Sequence, residues 1–368
     1  MAANILFLTI YLNLIMTNNE IFSELILKWY KKNKRNLPWR KTKEPYKIWV
    51  SEIILQQTQM SQGIKYYLNF IENFPNLESL AKSNDSNVLK VWEGLGYYSR
   101  AINMLNTAKF LIKNNKDFPS SYDELIKLKG IGDYTASAIS SICKNERRAV
   151  LDGNVFRVIS RVFNISKPIN QSSGKKIFQK ITLDLLPRKK TGNYNQALMD
   201  FGSTHCTIKK PKCIKCSIQQ ICKSFKLKNI EFRPVKIKNN ETKKNRLLNY
   251  FIIIFRKKIF INKRIQKDIW RNLYEPPLLE SNKIITKHLI QQTFSSYFKK
   301  TNTKEIELSK KISHKLSHQN LEIYFWKVNV SSLEEKKENK LIKVDFKSLS
   351  KYPFPKPIAK YLNEYLIT

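Results

Sequence analysis

The chain reads as a mostly α amino-terminal part followed by a smaller α+β part. Three observations predict this. Over residues 17–228 apolar positions recur at helical spacing, with Gly and Pro confined to joints. Over 229–244 that period fails, and Lys and Asn dominate around the single Pro234, the composition of a linker. Beyond it, Leu248–Phe255 (LNYFIIIF) and Leu321–Val328 (LEIYFWKV) have the apolar, β-branched and aromatic make-up of buried strands. A length of 368 residues suits two or three domains.

Taken in order, the chain opens with Ile5–Met16 (ILFLTIYLNLIM). This run of roughly a dozen residues falls short of the ~20 needed to span a bilayer. It also lacks the basic flank and small-residue cleavage site of a signal peptide. Met16-Thr17-Asn18-Asn19-Glu20 then starts a helix, so residues 1–16 are expected to be a non-native extension, with translation beginning at Met16. Helical spacing follows in Ile21, Leu25 and Trp29 and again in Ile48, Ile53 and Leu55, broken at Leu37-Pro38, Phe74-Pro75 and Phe118-Pro119. Past the linker, residues 245–368 alternate strands (Leu248–Phe255, Lys258–Asn262, Leu321–Val328) with helices at Lys287–Phe298 and Pro357–Leu366.

Composition narrows the function. At 42% hydrophobic residues the chain can build real cores, yet 67 Lys and Arg face only 29 Asp and Glu, a net charge of +38. Such a chain repels itself, and a polyanion, nucleic acid or an anionic membrane surface, is the natural compensation. A small neutral metabolite or an acidic protein gives no reason for it. Drift toward Lys, Asn and Ile explains some of the lysines but not the scarcity of acids. Five cysteines, four of them within Cys206–Cys222 and Cys143 alone, indicate a reducing compartment and a metal site rather than a disulfide framework.

Cys206, Cys213, Cys216 and Cys222 follow a C-x6-C-x2-C-x5-C spacing. Structural zinc usually takes two short C-x2-4-C pairs, and only the middle pair has that form. An iron–sulfur cube held by all four fits better, with zinc the alternative. Lys209, Lys210, Lys212 and Lys215 sit between the ligands, where they can offset the cluster's charge and touch phosphate. Leu128–Ala136 (LKGIGDYTA) is a helix–hairpin–helix signature: Lys129, Gly130 and Gly132 form a turn whose N–H groups face outward at a helix start, suited to a DNA phosphate. Asp152, in LDGNV, reads locally as a helix N-cap as readily as a working carboxylate. Glu52 is the lone acid in the apolar run Trp49–Leu55, where burial keeps a carboxyl protonated and fit to be a general acid. One neutral and one ionised carboxyl are the machinery for breaking a glycosidic bond through an oxocarbenium-like state. Gln56, Gln57 and Thr58 follow at once and could fill a gap in a base stack, while Tyr97, in Gly94–Tyr98 (GLGYY), is an aromatic on a flexible turn. Taken singly, each is more often core or surface than site.

Together these motifs, with LPWR (Leu37–Arg40), GLGYYSRA (Gly94–Ala101) and NQALMDFG (Asn195–Gly202), closely resemble the adenine DNA glycosylases of the MutY type, in the endonuclease III helix–hairpin–helix superfamily. The resemblance runs from about Phe22 to the carboxy terminus. It implies a two-lobed helical glycosylase domain over 17–228 with an iron–sulfur loop at 206–222, and a Nudix-like recognition domain over 245–368. It implies that Glu52 protonates adenine, Asp152 stabilises the sugar cation and Asn154 orients it. Tyr97 wedges into DNA beside the contacts of Gln56, Gln57, Thr58, Lys129, Gly130 and Gly132. Tyr134 joins the catalytic set where lyase relatives carry the Schiff-base lysine, so an intact abasic site is the expected product. Ser317 and His318 match the loop that senses 8-oxoguanine, with Leu316 where the family has Phe, and Lys129 stands where its hairpin has Pro. The implied cofactor is one 4Fe-4S cluster. The implied partner is double-stranded DNA holding A:8-oxoguanine or A:G, met by a monomer, without membrane contact, in a bacterial cytoplasm at the nucleoid. Two alternatives remain, a bifunctional glycosylase/lyase and a non-catalytic iron–sulfur DNA binder. No glutamate-rich Nudix metal box is visible.

Overall fold

A computed structural model describes residues 20–238, 242–282, 285–336 and 341–367, so the expected extension 1–16 lies outside it. The helices are α1 (20–33), α2 (Pro45–Leu55), α3 (Met60–Asn73), α4 (Leu77–Ala81), α5 (Asp85–Val91), α6 (Ser99–Lys113), α7 (Tyr122–Leu125), α8 (Asp133–Lys144), α9 (Gly153–Val162), α10 (Ser172–Asp184), α11 (Thr191–Thr204) and α12 (Lys223–Lys226). After residue 242 come β1 (Lys244–Phe255), β2 (Lys258–Lys263), β3 (Tyr274–Glu275), β4 (Leu278–Ser281), α13 (Lys287–Tyr297), β5 (Phe298–Lys315), β6 (Gln319–Glu335), β7 (Ile342–Asp345) and α14 (Lys356–Leu362). No helix among the described residues is long and apolar enough to cross a membrane.

Contacts divide the chain into two units, Met1–Ala81 with Asn106–Asn239, and Lys82–Leu105 with Asn240–Thr368. In the first, Phe22 and Ile26 of α1 pack against Val155, Val158 and Ile159 of α9 and Tyr194, Leu198 and Phe201 of α11, so the start of the chain closes the core of its later helices. α2 begins on Pro45, whose fixed φ suits a first turn, and is buried nearly all round from Tyr46 to Ile54. Residues 229–238, at the start of the expected linker, are tied down: the Ile169 N–H donates to the Val235 carbonyl at 3.0 Å and Asn170 Nδ2 to the Ile237 carbonyl at 2.8 Å.

In the second unit a sheet runs β3-β2-β1-β6-β5, with β4 also paired to β1 and β7 to β2. β1 lies parallel to β6, so its alternate side chains enter two cores. Leu248, Tyr250 and Ile252 meet Ile358, Tyr361 and Leu362 of α14, while Phe251 and Ile253 meet Ile290 and Phe294 of α13. Burial on both faces is why LNYFIIIF is apolar without alternation. The segment Lys82–Leu105 groups here and not with the other helices: Lys90 Nζ donates to the Tyr352 carbonyl and the Phe354 N–H to Glu93 Oε1, each at 3.4 Å. β5, whose 18 residues are mostly exposed, was not anticipated. Its Lys-rich sequence carries little apolar signal, and it is held as a strand by its antiparallel ladder with β6.

Candidate active site

One cavity of about 590 Å³ in the first unit gathers Glu52, Gln56, Gln57, Thr58, Tyr134, Asp152 and Asn154. Four local decisions build it. α2 places Glu52 on its inner side, only 7% exposed. Burial raises its carboxyl to about 7; the Asp152 charge adds to this, and the Tyr134 hydroxyl and Arg40 pull back. Around neutrality Glu52 is therefore divided between acid and carboxylate. α2 ends in a turn in which the Thr58 N–H donates to the Leu55 carbonyl at 3.2 Å and Gln57 takes φ +57°, a strained setting that turns its side chain outward. Gln56 Nε2 donates to Thr135 Oγ1 at 3.3 Å.

Asp152 satisfies both of its local readings. It caps α9, with Oδ1 accepting the Val155 N–H at 2.7 Å, and its Oδ2 accepts Asn154 Nδ2 at 2.8 Å. The cap fixes the carboxylate, and Asn154 is fixed in turn by Arg157 Nη2, which donates to its Oδ1 at 2.9 Å. Arg157 also donates to the Gly202 carbonyl at 2.5 Å and to the Cys206 carbonyl at 2.8 Å, joining this corner to the cysteine loop. The Tyr134 hydroxyl lies 3.4 Å from Met199 Sδ.

Arg40, Trp39 and Gln196 also line the cavity, and they were missed as site residues although LPWR and NQALMDFG contain them. Behind them Asp200, fully buried, accepts from Arg35 and, at 2.6 and 2.8 Å, from Arg40. Burial alone would raise the Asp200 carboxyl, but the two guanidinium groups hold it below its usual range. A signal existed: Asp200 is a lone acid in the apolar stretch Ala197–Phe201, much as Glu52 is in its own.

The hairpin lies on α8, the helix that carries Tyr134. Leu128 and Ile131 anchor it, Gly130 turns at φ +83°, which only glycine takes freely, and Gly132 stands at the N-cap of α8. Lys129, Gly130 and Gly132 are all exposed. In the second unit, Tyr97, 47% exposed at φ +46°, donates its hydroxyl to Ser317 Oγ at 3.3 Å, and Ser317 Oγ lies 3.2 Å from His318 Nδ1. Ser317 and His318 form the turn of the β5–β6 hairpin, and Arg100, whose guanidinium lies over the Tyr97 ring, braces the Gly94–Tyr98 turn by donating to the Gly96 carbonyl at 3.1 Å.

Cys206, Cys213, Cys216 and Cys222 line a shared cavity with Arg161. Arg161 donates to the Thr207 carbonyl at 2.7 Å and reaches Cys206 Sγ at 3.4 Å. Among the described residues no three His, Cys, Asp or Glu group closely enough to hold a single metal ion. Four thiols lining one cavity are a donor set that fits an iron–sulfur cluster.

A family model described as HhH-GPD superfamily base excision DNA repair protein matches residues 50–183, and a NUDIX domain model matches 249–364. An adenine DNA glycosylase of Buchnera aphidicola subsp. Schizaphis graminum is 41% identical over 260 residues, 69% of this chain and 74% of that protein. The chain belongs to the adenine DNA glycosylase family. A second adenine DNA glycosylase, from Buchnera aphidicola subsp. Baizongia pistaciae, is 40% identical over 288 residues, 77% of this chain and 78% of its own. Among solved structures, a thermostable thymine-DNA glycosylase superposes with a TM-score of 0.53 at 29% identity, over 57% of this chain and 98% of that one. Adenine DNA glycosylases are base-excision-repair hydrolases that act on N-glycosyl bonds. Both expected parts of the fold, the helix–hairpin–helix glycosylase and the Nudix-like domain, are present in this member.

Proposed function

We propose that this adenine DNA glycosylase removes adenine paired with 8-oxoguanine or guanine from duplex DNA by hydrolysis and leaves an intact abasic site. The observation that carries the reading is the pairing of a Glu52 raised to about 7 with an Asp152 carboxylate fixed by two donors in the same cavity. Glu52 gives its proton to a ring nitrogen of the flipped adenine, so the base leaves neutral, taking the electrons of the bond to the sugar. Asp152, steadied by Asn154, faces the cation that remains, and water completes the hydrolysis. Tyr134 occupies the place of a Schiff-base amine, so the strand is not cut. Gln56, Gln57 and Thr58 at the cavity rim, the hairpin of Lys129, Gly130 and Gly132, and the wedge Tyr97 hold the opened duplex.

The glycosylase domain is assigned to 17–228 and the recognition domain to 245–368, joined through 229–244. Ser317 and His318 read the altered guanine edge. Cys206, Cys213, Cys216 and Cys222 would hold one 4Fe-4S cluster, which would organise the loop bearing Lys209, Lys210, Lys212 and Lys215 for phosphate contact. The relatives from bacteria support a bacterial setting, and there the enzyme acts at the nucleoid as a monomer. The test is to incubate the protein with duplexes holding A opposite 8-oxoguanine, guanine or thymine and to look for alkali-labile sites. Alkali-labile sites in the first two duplexes, strands intact before alkali and lost in Glu52→Gln, are expected; normal release by Glu52→Gln would overturn the assignment.

A further inference from the structure

The turn that carries Ser317 and His318 is tied to a buried guanidinium. In the parallel pair of β1 and β6, Lys244 stands opposite Gln319 and Arg246 opposite Leu321, so Arg246 and Gln319 share one face of the sheet. Arg246 uses all five of its N–H groups. Nε and Nη2 donate to Glu280 at 2.7 and 2.6 Å, and Nη1 and Nη2 to Asp268 at 2.9 and 2.7 Å. The last, on Nη1, donates to Gln319 Oε1 at 3.3 Å. A guanidinium has no acceptor, so the end of the Gln319 amide that meets it is the oxygen. Turning the amide over would set its NH2 against the guanidinium, and Gln319, only 4% exposed, has no water to turn into. The NH2 end therefore lies 3.1 Å from His318 Nε2, and it can only donate. Nε2 must present its lone pair, which puts the hydrogen of the neutral ring on Nδ1, the reverse of what free histidine prefers in water. Nδ1 donates to Ser317 Oγ at 3.2 Å, and the Tyr97 hydroxyl donates to the same oxygen at 3.3 Å. Both lone pairs of Ser317 Oγ are then taken, and its own hydrogen is the group left to give.

We propose that Gln319, held by Arg246, is a positioning residue for lesion recognition: its amide fixes the His318 tautomer and so keeps the Ser317 hydrogen for the damaged base. The inference rests on the assignment of Ser317 and His318 to the altered guanine edge. 8-Oxoguanine carries an oxygen acceptor at C8, where guanine has only C–H, so a hydroxyl that must donate tells the two apart. With the ring hydrogen on Nε2 instead, Ser317 would give its hydrogen to His318 Nδ1 and offer the base only lone pairs. The lone pair that Tyr97 vacates on entering a duplex can accept N7–H, a hydrogen that 8-oxoguanine has and guanine lacks.

The test begins with the full-length protein without DNA at pH 9, well above the usual histidine value of ~6.5, so that the ring is neutral. Heteronuclear NMR reads the two ring nitrogens of His318, identified by their loss in His318→Ala. The hydrogen is expected on Nδ1 in the parent and on Nε2 in Gln319→Glu, whose carboxylate still accepts from Arg246 but cannot donate to the ring. Dissociation constants of full-length Glu52→Gln protein for A:8-oxoguanine and A:G duplexes at pH 8 then measure preference. Adding Gln319→Glu, or the uncharged Gln319→Met, is expected to lower that preference about fivefold or more, the loss of one hydrogen bond to a base edge. In a Ser317→Ala background the same two changes are expected to alter it less than about twofold, because they act through the hydroxyl. A parent ring with its hydrogen on Nε2 overturns the proposal, and that measurement requires no variant to fold. Preference that Ser317→Ala lowers but both Gln319 changes leave intact also overturns it, as do equal losses with and without Ser317. A parent that binds both duplexes equally would instead strike the lesion assignment of Ser317 and His318, taking this proposal with it, and is seen before any Gln319 variant is made.

Discussion

Glu52 acquires its chemistry from its surroundings. A carboxyl raised from 4.5 to about 7 by burial is held back from ionising by roughly 3 kcal/mol. The sign follows directly. The protonated form suits the fold, so Glu52 leaves stability intact below pH 4.5 and lowers it as pH rises through about 7. Glu52→Gln, which cannot ionise, should match the parent in urea melts at pH 4 and exceed it by up to about 3 kcal/mol at pH 9. A smaller midpoint for the variant at pH 9 would contradict the burial argument. Single-turnover adenine release should fall above about pH 7, approaching tenfold per pH unit, as the acid form is lost. Glu52 was legible because one acid interrupts an apolar helix. Asp200 offered the same pattern and went unread, since its partners Arg35 and Arg40 lie 160 or more positions away and only folding brings them together.

At the scale of the element, short signatures marked the working turns well and a long exposed strand poorly. The hairpin glycines and the cap at Asp152 are local devices written in a few residues. β5 is not, because its conformation comes from pairing with β6. Gly130→Val forces a β-branched residue to φ +83° and should cost about 1–3 kcal/mol of stability. It should also weaken binding of undamaged duplex, measured by anisotropy, with the alkaline limb near pH 7 unmoved. Arg157→Leu removes the donor shared by Asn154 Oδ1 and the Gly202 and Cys206 carbonyls. Leaving such buried groups unpaired costs ~1–3 kcal/mol each. A melting temperature lowered by several degrees, with less iron per chain, is therefore expected; unchanged melting and iron would show that the tie is idle.

The whole molecule separates grip from reading. Its charge of +38 predicts tight, salt-steep binding without base preference, whereas the proposed lesion preference is assigned to the Tyr97, Ser317 and His318 cluster of the second unit. Ser317→Ala with His318→Ala in the full chain should cost ~1–3 kcal/mol of discrimination between A:8-oxoguanine and A:G, leaving the A:G rate unchanged. Equal preference in parent and variant would move recognition to the Gln56–Thr58 turn. Composition suggests a break near 229–244, but gives no sign of the grouping of Lys82–Leu105 with the later half, because that rests on contacts such as Lys90 to Tyr352 that no local pattern encodes. Close packing of α11 on Asn154 has a consequence at a longer time scale. A Cβ on Gly202 would lie 2.7 Å from Asn154 Cβ and 2.9 Å from its backbone oxygen, so even alanine must displace the residue that steadies Asp152. Adenine left opposite 8-oxoguanine is copied as thymine at the next replication. Cells carrying Gly202→Ala should therefore accumulate guanine-to-thymine transversions over generations, a mutator lineage founded on one methyl group with no catalytic residue replaced.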